Sequence, residues 1–351
     1  MKRLKGILTT IIVVFMISVT LIGFSKKAVS TITTPGKPVK VAAFLQDFTD
    51  DLISEIRQDL EDIQKENPGK VEYTFYDGKS DQAIQDEELD KVLKEGTDLI
   101  LLNIVNKGDA QRVINKIKQT NIPVILFNRE PITPIPIQSY NRALYIGTDG
   151  KETGMIQGKM LVDAWKTSKQ CIDKNNDNIM QYVMLEGESD NKEAIQRTKS
   201  SVSTIDAAGI KTQEVALKIC DWNEDLAYKD IKSLFGKYGD QIEVIISNDD
   251  TMAIGAIKAL QEYGYNKGDK SKTIPVVGVD VTPVAKDFIE KGYMLGSVYE
   301  YPKDYADALY ACGMNLVAYK NPVEGTKYKL DDTRVAIRLP QTDYLYKNMF
   351  L

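Results

Sequence analysis

The run VIISND (Val244–Asp249) passes from apolar residues to Asn248 and Asp249 without a break, and the capped, helix-patterned stretch DTMAIGAIKAL follows at once. Three other runs end the same way: LILLN at Asn103, VILFN at Asn128 and VVGVD at Asp280. Segments this short and this apolar read as central strands of a parallel sheet covered on both faces. Ligands of open α/β sheets bind outside the carboxyl ends of the strands. Four polar strand ends, shared between two halves of one chain, therefore point to a ligand cleft.

Outward from these runs, strands and helices alternate. VKVAAFL, starting at Val39, reads as a strand. Asp50 or Asp51 can cap a helix whose Leu52, Ile53, Ile56, Leu60 and Ile63 fall at helical spacing. VEYTFY alternates as a second strand, and a helix carrying Leu89, Val92 and Leu93 stops at Gly96. A strand at 98–104, a helix at 109–119 and a strand at 122–127 complete the first half. The pattern resumes with a helix at 150–166 and continues, strand then helix, to a helix at 302–319. Single cores seldom grow past about 250–300 residues, and this chain has 351. The fold class is α/β with two similar lobes.

Composition narrows the function. The chain contains no histidine, which excludes a histidine general base, Ser-His-Asp and Cys-His nucleophile systems, and histidine metal ligands. Cys171, Cys220 and Cys312 are far apart and form no CxxC motif, so they read as free thiols. Residues 1–30 hold five cations and no acids; without them the formal charge moves from −5 to −10. An acidic body with no basic stripe excludes nucleic acid as a partner.

MKRLKG followed by the uncharged run Ile7–Phe24 marks an exported chain. Ala28–Ser30 offers a cleavage site, whereas the length of the run and the intervening Lys26–Lys27 suit a retained membrane anchor. Residues 1–30 are thus a signal peptide or an anchor, and 31–38, with its TTPGKP, are a linker. The absence of cysteine from the first thirty residues excludes a lipoprotein anchor.

Several motifs carry two readings. Asp173, Asn175, Asp177 and Gln181 occupy positions 1, 3, 5 and 9 of an EF-hand-like loop, with the Ile179 carbonyl at position 7. Asn178 replaces the usual Gly at position 6, and Met184 replaces the bidentate acid at position 12, so a polar Asx-rich turn competes with a calcium loop. Trp222, just past VALKI, is either core or a flat platform for the CH face of a sugar ring. Arg197 is either solvated or a ligand contact. Asp249–Asp250 could serve a glycosidase only if opposed carboxylates flanked one bond, which strand-end acids alone do not establish. GTDGKE (Gly147–Glu152) lacks the spacing of a phosphate loop and reads as a helix start.

INxV with a neighbouring FNREP, then YIGTDGKETGMIQG, DKNNDNIMQ, IEVIISNDDTMAIGA and PVVGVD occur in this order. Together they resemble the galactose/glucose-binding proteins of sugar ABC transporters, in the type I periplasmic-binding-protein superfamily, over roughly Lys40 to Val335. That resemblance implies two Rossmann-like lobes joined by three crossover segments, one lobe at 39–126 plus 301–332 and the other at 127–300 plus 333–351. It also implies a structural Ca2+ held by Asp173, Asn175, Asp177, Ile179, Gln181 and, from a distance, Glu243.

For the sugar site the resemblance implies Asp50, Asn103, Arg197, Trp222 and Asp280, all intact. Other positions depart from the family. Its histidine and nearby aspartate fall on Asn191 and Glu193, and two amides fall on the acids Asp249 and Glu300. A second stacking aromatic becomes Leu52 unless Phe48 substitutes, and a tyrosine at the mouth becomes Gln46. Exchanging two amides for acids removes donors and adds negative charge, so the usual hexose does not follow automatically. The implied function is extracytoplasmic binding of a monosaccharide, galactose- or glucose-like, without catalysis. Lobe closure would deliver the sugar to a membrane ABC permease; the alternative is an anchored sensing subunit that partners a sensor kinase.

Overall fold

The computed structural model describes residues 37–346. The export segment and most of the linker read from the sequence lie outside the described residues. Among the described residues no helix is long and apolar enough to cross a membrane.

The first half runs β1 (Val39–Leu45), α1 (Asp51–Glu66), β2 (Val71–Asp77), α2 (Gln82–Glu95), β3 (Leu99–Leu102), α3 (Ala110–Lys118), β4 (Val124–Phe127), a short α4 (Ile135–Gln138) and β5 (Ala143–Gly147). The second runs α5 (Gly150–Ile172), β6 (Ile179–Glu186), α6 (Lys192–Ala207), β7 (Lys211–Ile219), α7 (Glu224–Tyr238), β8 (Val244–Ser247), α8 (Asp250–Glu262), β9 (Val276–Val279), α9 (Pro283–Glu290) and β10 (Gly296–Glu300). The chain then returns through α10 (Pro302–Val317), β11 (Ala336–Arg338) and β12 (Gln341–Leu345). Two six-stranded sheets result, ordered β11-β5-β4-β3-β1-β2 and β12-β10-β9-β8-β6-β7. Every pairing is parallel except β10 with β12.

The four runs quoted first are β3, β4, β8 and β9, buried at every position. Each sheet is covered on both faces, which is why those runs are apolar throughout rather than alternating. In the first lobe α1 and α10 cover one face and α2 with α3 the other. The second lobe repeats this with α7, α8 and α9 opposite α5 and α6. Helices start where an Asp or Asn at the strand-end turn takes an orphan amide. Asp50, Asp81, Asp149, Asn191, Asn223 and Asp249 all do so, and each such cap is worth about 1 kcal/mol.

The lobe boundary differs from the one drawn at 126/127. ALYIG forms β5, pairs parallel with β4 and belongs to the first sheet. The first crossover is therefore Thr148–Asp149. The second falls at Tyr301, and the third at Leu339–Pro340, between β11 in the first sheet and β12 in the second. The tail thus completes both lobes rather than the second alone. The sequence reading missed β5 because five apolar residues after an irregular loop carry no period of their own. It missed β11 and β12 because both are short and partly polar.

Candidate functional site

The carboxyl ends of both sheets face one cleft. Its inner chamber, about 50 Å3, is walled by Gln46, Asp50, Leu52, Asn128 and Arg129 from the first lobe and by Asn191, Glu193, Arg197, Trp222 and Asp280 from the second. A mouth of about 440 Å3 shares Gln46, Asp50, Leu52, Trp222 and Asp280 and adds Asp51, Glu224 and Asp249.

Local folding places each of these side chains. Asp50 and Asp249 are the N-caps of α1 and α8: Asp50 Oδ1 accepts the Ile53 amide at 2.9 Å, and Asp249 Oδ1 accepts that of Met252 at 2.9 Å. Asn191 caps α6 through the Glu193 and Ala194 amides and donates to Glu188 at 3.2 Å. Trp222 sits in the left-handed region, φ 63°, which turns its ring back over Gly187. A Cβ at Gly187 would lie 2.2 Å from that ring, so only glycine lets the indole lie flat. The indole Nε1 is buried with no partner, and so is Nε of Arg197. Two unpaired donors at the walls of one chamber are groups a polar ligand would satisfy.

Arg197 is buried. It donates to the Asn248 carbonyl at 2.9 Å, lies 3.4 Å from Glu193 and pairs closely with Glu300. Burial opposes its charge, yet Glu300, Glu193 and Asp280 hold its pKa above the ordinary value. Burial also pushes up the Glu193 carboxyl, against Arg197 and with Glu300. Asp249 rises to about 7, through burial first and then through Asp50. Asp280 is raised well above the ordinary carboxylate range by burial, Glu300 and Asp250.

Two residues expected in the site stand behind it. Asn103 is fully buried: it accepts from the Gln46 amide at 3.0 Å and donates to the Phe127 carbonyl and to Asn128 Oδ1, both at 3.2 Å. Its polar atoms hold strand ends together, and it does not wall the chamber. Glu300 is likewise fully buried and accepts from Thr148 at 2.9 Å, Tyr305 at 3.0 Å and Gln341 at 3.2 Å, besides Arg197. It joins all three crossovers to the cleft arginine. Phe48 does not replace the missing aromatic: Arg57 covers its ring at 4.3 Å, and Leu52 faces the chamber instead.

Asn128, one of the four polar strand ends, and Arg129 directly after it are chamber walls. The signal available was position, since both follow a strand end directly. Arg129 donates to the Ile104 and Val105 carbonyls and to Glu188, each at 2.8 Å. Lys107 meets Glu188 at 2.7 Å, so two first-lobe cations clasp one second-lobe carboxylate and hold its pKa down to about 2 against burial. Tyr145 donates to Glu193 at 2.8 Å across the same gap.

The loop between α5 and β6 has the turns its spacing requires: Asn178 at position 6 has φ 66°. Asp173 accepts the Asp177 and Asn178 amides at 3.1 Å, and Asp177 accepts that of Ile179 at 2.8 Å. Glu243 reaches the loop from the start of β8 and accepts the Lys174 amide at 2.8 Å and that of Gln181 at 3.2 Å. Burial, with Asp173 and Asp177 nearby, raises its carboxyl to about 7. Gln181 Oε1 is buried with no partner. An orphan oxygen beside a destabilised carboxylate fits a hard cation. Among the described residues no three acidic side chains gather closely enough to hold a metal unaided, so amide and carbonyl oxygens would complete the shell.

A model of the periplasmic binding protein domain matches residues 41–321. The D-galactose/methyl-galactoside binding periplasmic protein of Haemophilus influenzae is 33% identical over 299 residues, which is 85% of this chain and 87% of that protein. An ABC transporter solute-binding protein of Actinobacillus succinogenes with bound D-allose superposes with a TM-score of 0.73 at 16% identity, over 89% of this chain and 99% of that one. One from Bacillus halodurans with bound myo-inositol gives 0.71 at 18%, over 90% and 96%. At such identities these two structures show the shared fold. The relatives are solute-binding transport proteins rather than enzymes, and the chain belongs to the periplasmic binding protein family.

Proposed function

We propose that this protein binds a monosaccharide-sized polyol outside the cytoplasm and hands it to an ABC permease by closing its two lobes on it. The observation that carries this reading is the interlobe chamber with two unpaired buried donors, Trp222 Nε1 and Arg197 Nε, among hydroxyl-accepting carboxylates. Hydroxyls both donate and accept, so a polyol satisfies both sets at once. The indole offers the apolar face that a ring needs on one side. The galactose-binding relative supports this class of ligand, and the relatives named favour transport over sensing. The test is calorimetry of the full chain against pentoses, hexoses and cyclitols; binding by none of them overturns the reading. N-terminal sequencing of the exported protein decides whether residues 7–24 are removed or keep the chain on the membrane.

The α5–β6 loop with Glu243 is proposed as a structural calcium site, the cation neutralising Glu243, Asp173 and Asp177. Gln181 Oε1, the Asn175 amide and the Ile179 carbonyl would add neutral oxygens. Chelation is expected to lower the melting temperature by several degrees, and Glu243→Gln to remove that dependence. A melting temperature unmoved by chelator and by added calcium rejects the site.

A further inference from the structure

The guanidinium groups of the cleft are already matched by acids from behind. Arg197 is held by Glu300 and Glu193, and Arg129 by Glu188. Asp50, Asp249 and Asp280 line the same space, and none of the three makes an ion pair among the described residues. Asp50 and Asp249 each accept one backbone amide, and the Asp280 carboxylate accepts no hydrogen bond there. The mouth adds acids from both lobes: burial first, and then Glu224, raise the Asp51 carboxyl. Among the described residues no lysine or arginine lines the mouth, and Glu224 pairs with Lys258 outside it at 2.5 Å.

Acids from opposite lobes repel as the lobes close, and a neutral polyol does nothing to offset this. A protonated amine does: it brings three donors and a positive charge to groups that only accept when ionised. Resting on the polyol reading above, we propose that the preferred ligand is an amine-bearing sugar or cyclitol, its ammonium held between Asp249 and Asp50 or Asp280 while Trp222 covers the ring. Asp249 lines the mouth beside Asp50 and Asp280, so an ammonium there meets carboxylates from both lobes at once. Burial first, and then Asp50 from the other lobe, raise the Asp249 carboxyl to about 7, and a cation bound between them would oppose both effects.

The experiment is calorimetry of the full chain at pH 7 with D-glucose and D-galactose beside their 2-, 3- and 6-amino-deoxy derivatives and the N-acetylated forms. At least one amine is expected to bind tenfold or more tightly than its parent, as a charge-assisted hydrogen bond implies. Acetylation should erase that advantage, and added salt should narrow it. In Asp249→Asn, whose amide still caps α8, the amine-to-parent affinity ratio should collapse toward one. Parent sugars binding as tightly as every amine overturn the proposal and leave the polyol reading standing. A ratio unchanged in Asp249→Asn overturns the assignment to this residue. If neither parents nor amines bind, the proposal fails, and the pentose, hexose and cyclitol panel above decides the polyol reading.

Discussion

Arg197 and Glu300 form a fully buried ion pair at the point where all three crossovers meet, one partner facing the chamber and the other facing the hinge. Removing one member of such a pair leaves an uncompensated charge, which costs about 3–5 kcal/mol. Glu300→Gln is expected to lower unfolding stability by that order, softened by Glu193. Because Thr148, Tyr305 and Gln341 lose a charged acceptor too, ligand affinity should fall with it. Urea denaturation and calorimetry check both; an unchanged affinity would separate hinge from cleft.

Glu188 clasps Lys107 and Arg129 across the gap between lobes. Both cations are nearly buried, so Glu188→Gln leaves Arg129 without its counter-charge, and Lys107 with only the longer contact to Asp190 at 3.5 Å, when the lobes are closed. The empty variant should therefore sit open, with a larger radius of gyration in small-angle scattering. Its ligand affinity should drop about tenfold, equivalent to about 1.4 kcal/mol of closure.

The pH dependence of the empty protein has two opposed arms. Asp249 rises from an ordinary 3.8 to about 7 on folding. Its contribution is complete below the unfolded value and is lost as pH rises through the folded one. Glu188 falls from 4.5 to about 2, so its contribution is present above 4.5 and is lost as pH falls toward 2. Thermal unfolding without ligand should show highest stability at about pH 4 and a decline from there toward pH 8. Asp249→Asn should make the alkaline arm shallower, with Glu193 and Glu243 supplying the rest, and leave the acid arm as it is.

Gly187→Ala tests the Trp222 platform. The added methyl would meet the indole at 2.2 Å and must push the ring off the chamber wall. Affinity is expected to fall at least tenfold, with a shift in tryptophan emission and little change in fold. Emission and affinity both unchanged would show that the ring has room to yield.

The strand ends were legible in the sequence because burial on both faces leaves an unbroken apolar run that must stop where water or ligand begins. Asp50, Arg197, Trp222, Asp249 and Asp280, named by that logic and by resemblance, lie around one cleft. What the sequence hid was direction. Asn103 and Glu300 end strands as the others do, yet their side chains turn inward to bind carbonyls, hydroxyls and a guanidinium. Asn128 and Arg129 follow a strand end too and turn toward the chamber. Position along the chain names the neighbourhood, and only packing decides which way a side chain faces. The missed β5 moved the lobe boundary for a related reason: it is set between β4 just before it and β11 far along the chain, so pairing rather than pattern makes it a strand.

The last strands, β11 and β12, edge the two sheets within ten residues of each other. During synthesis, then, neither lobe has its full sheet until residues 336–345 leave the ribosome. Contacts between such distant segments form slowly. The delay leaves each sheet one edge strand short until late in synthesis, which suits a chain of a family that works outside the cytoplasm.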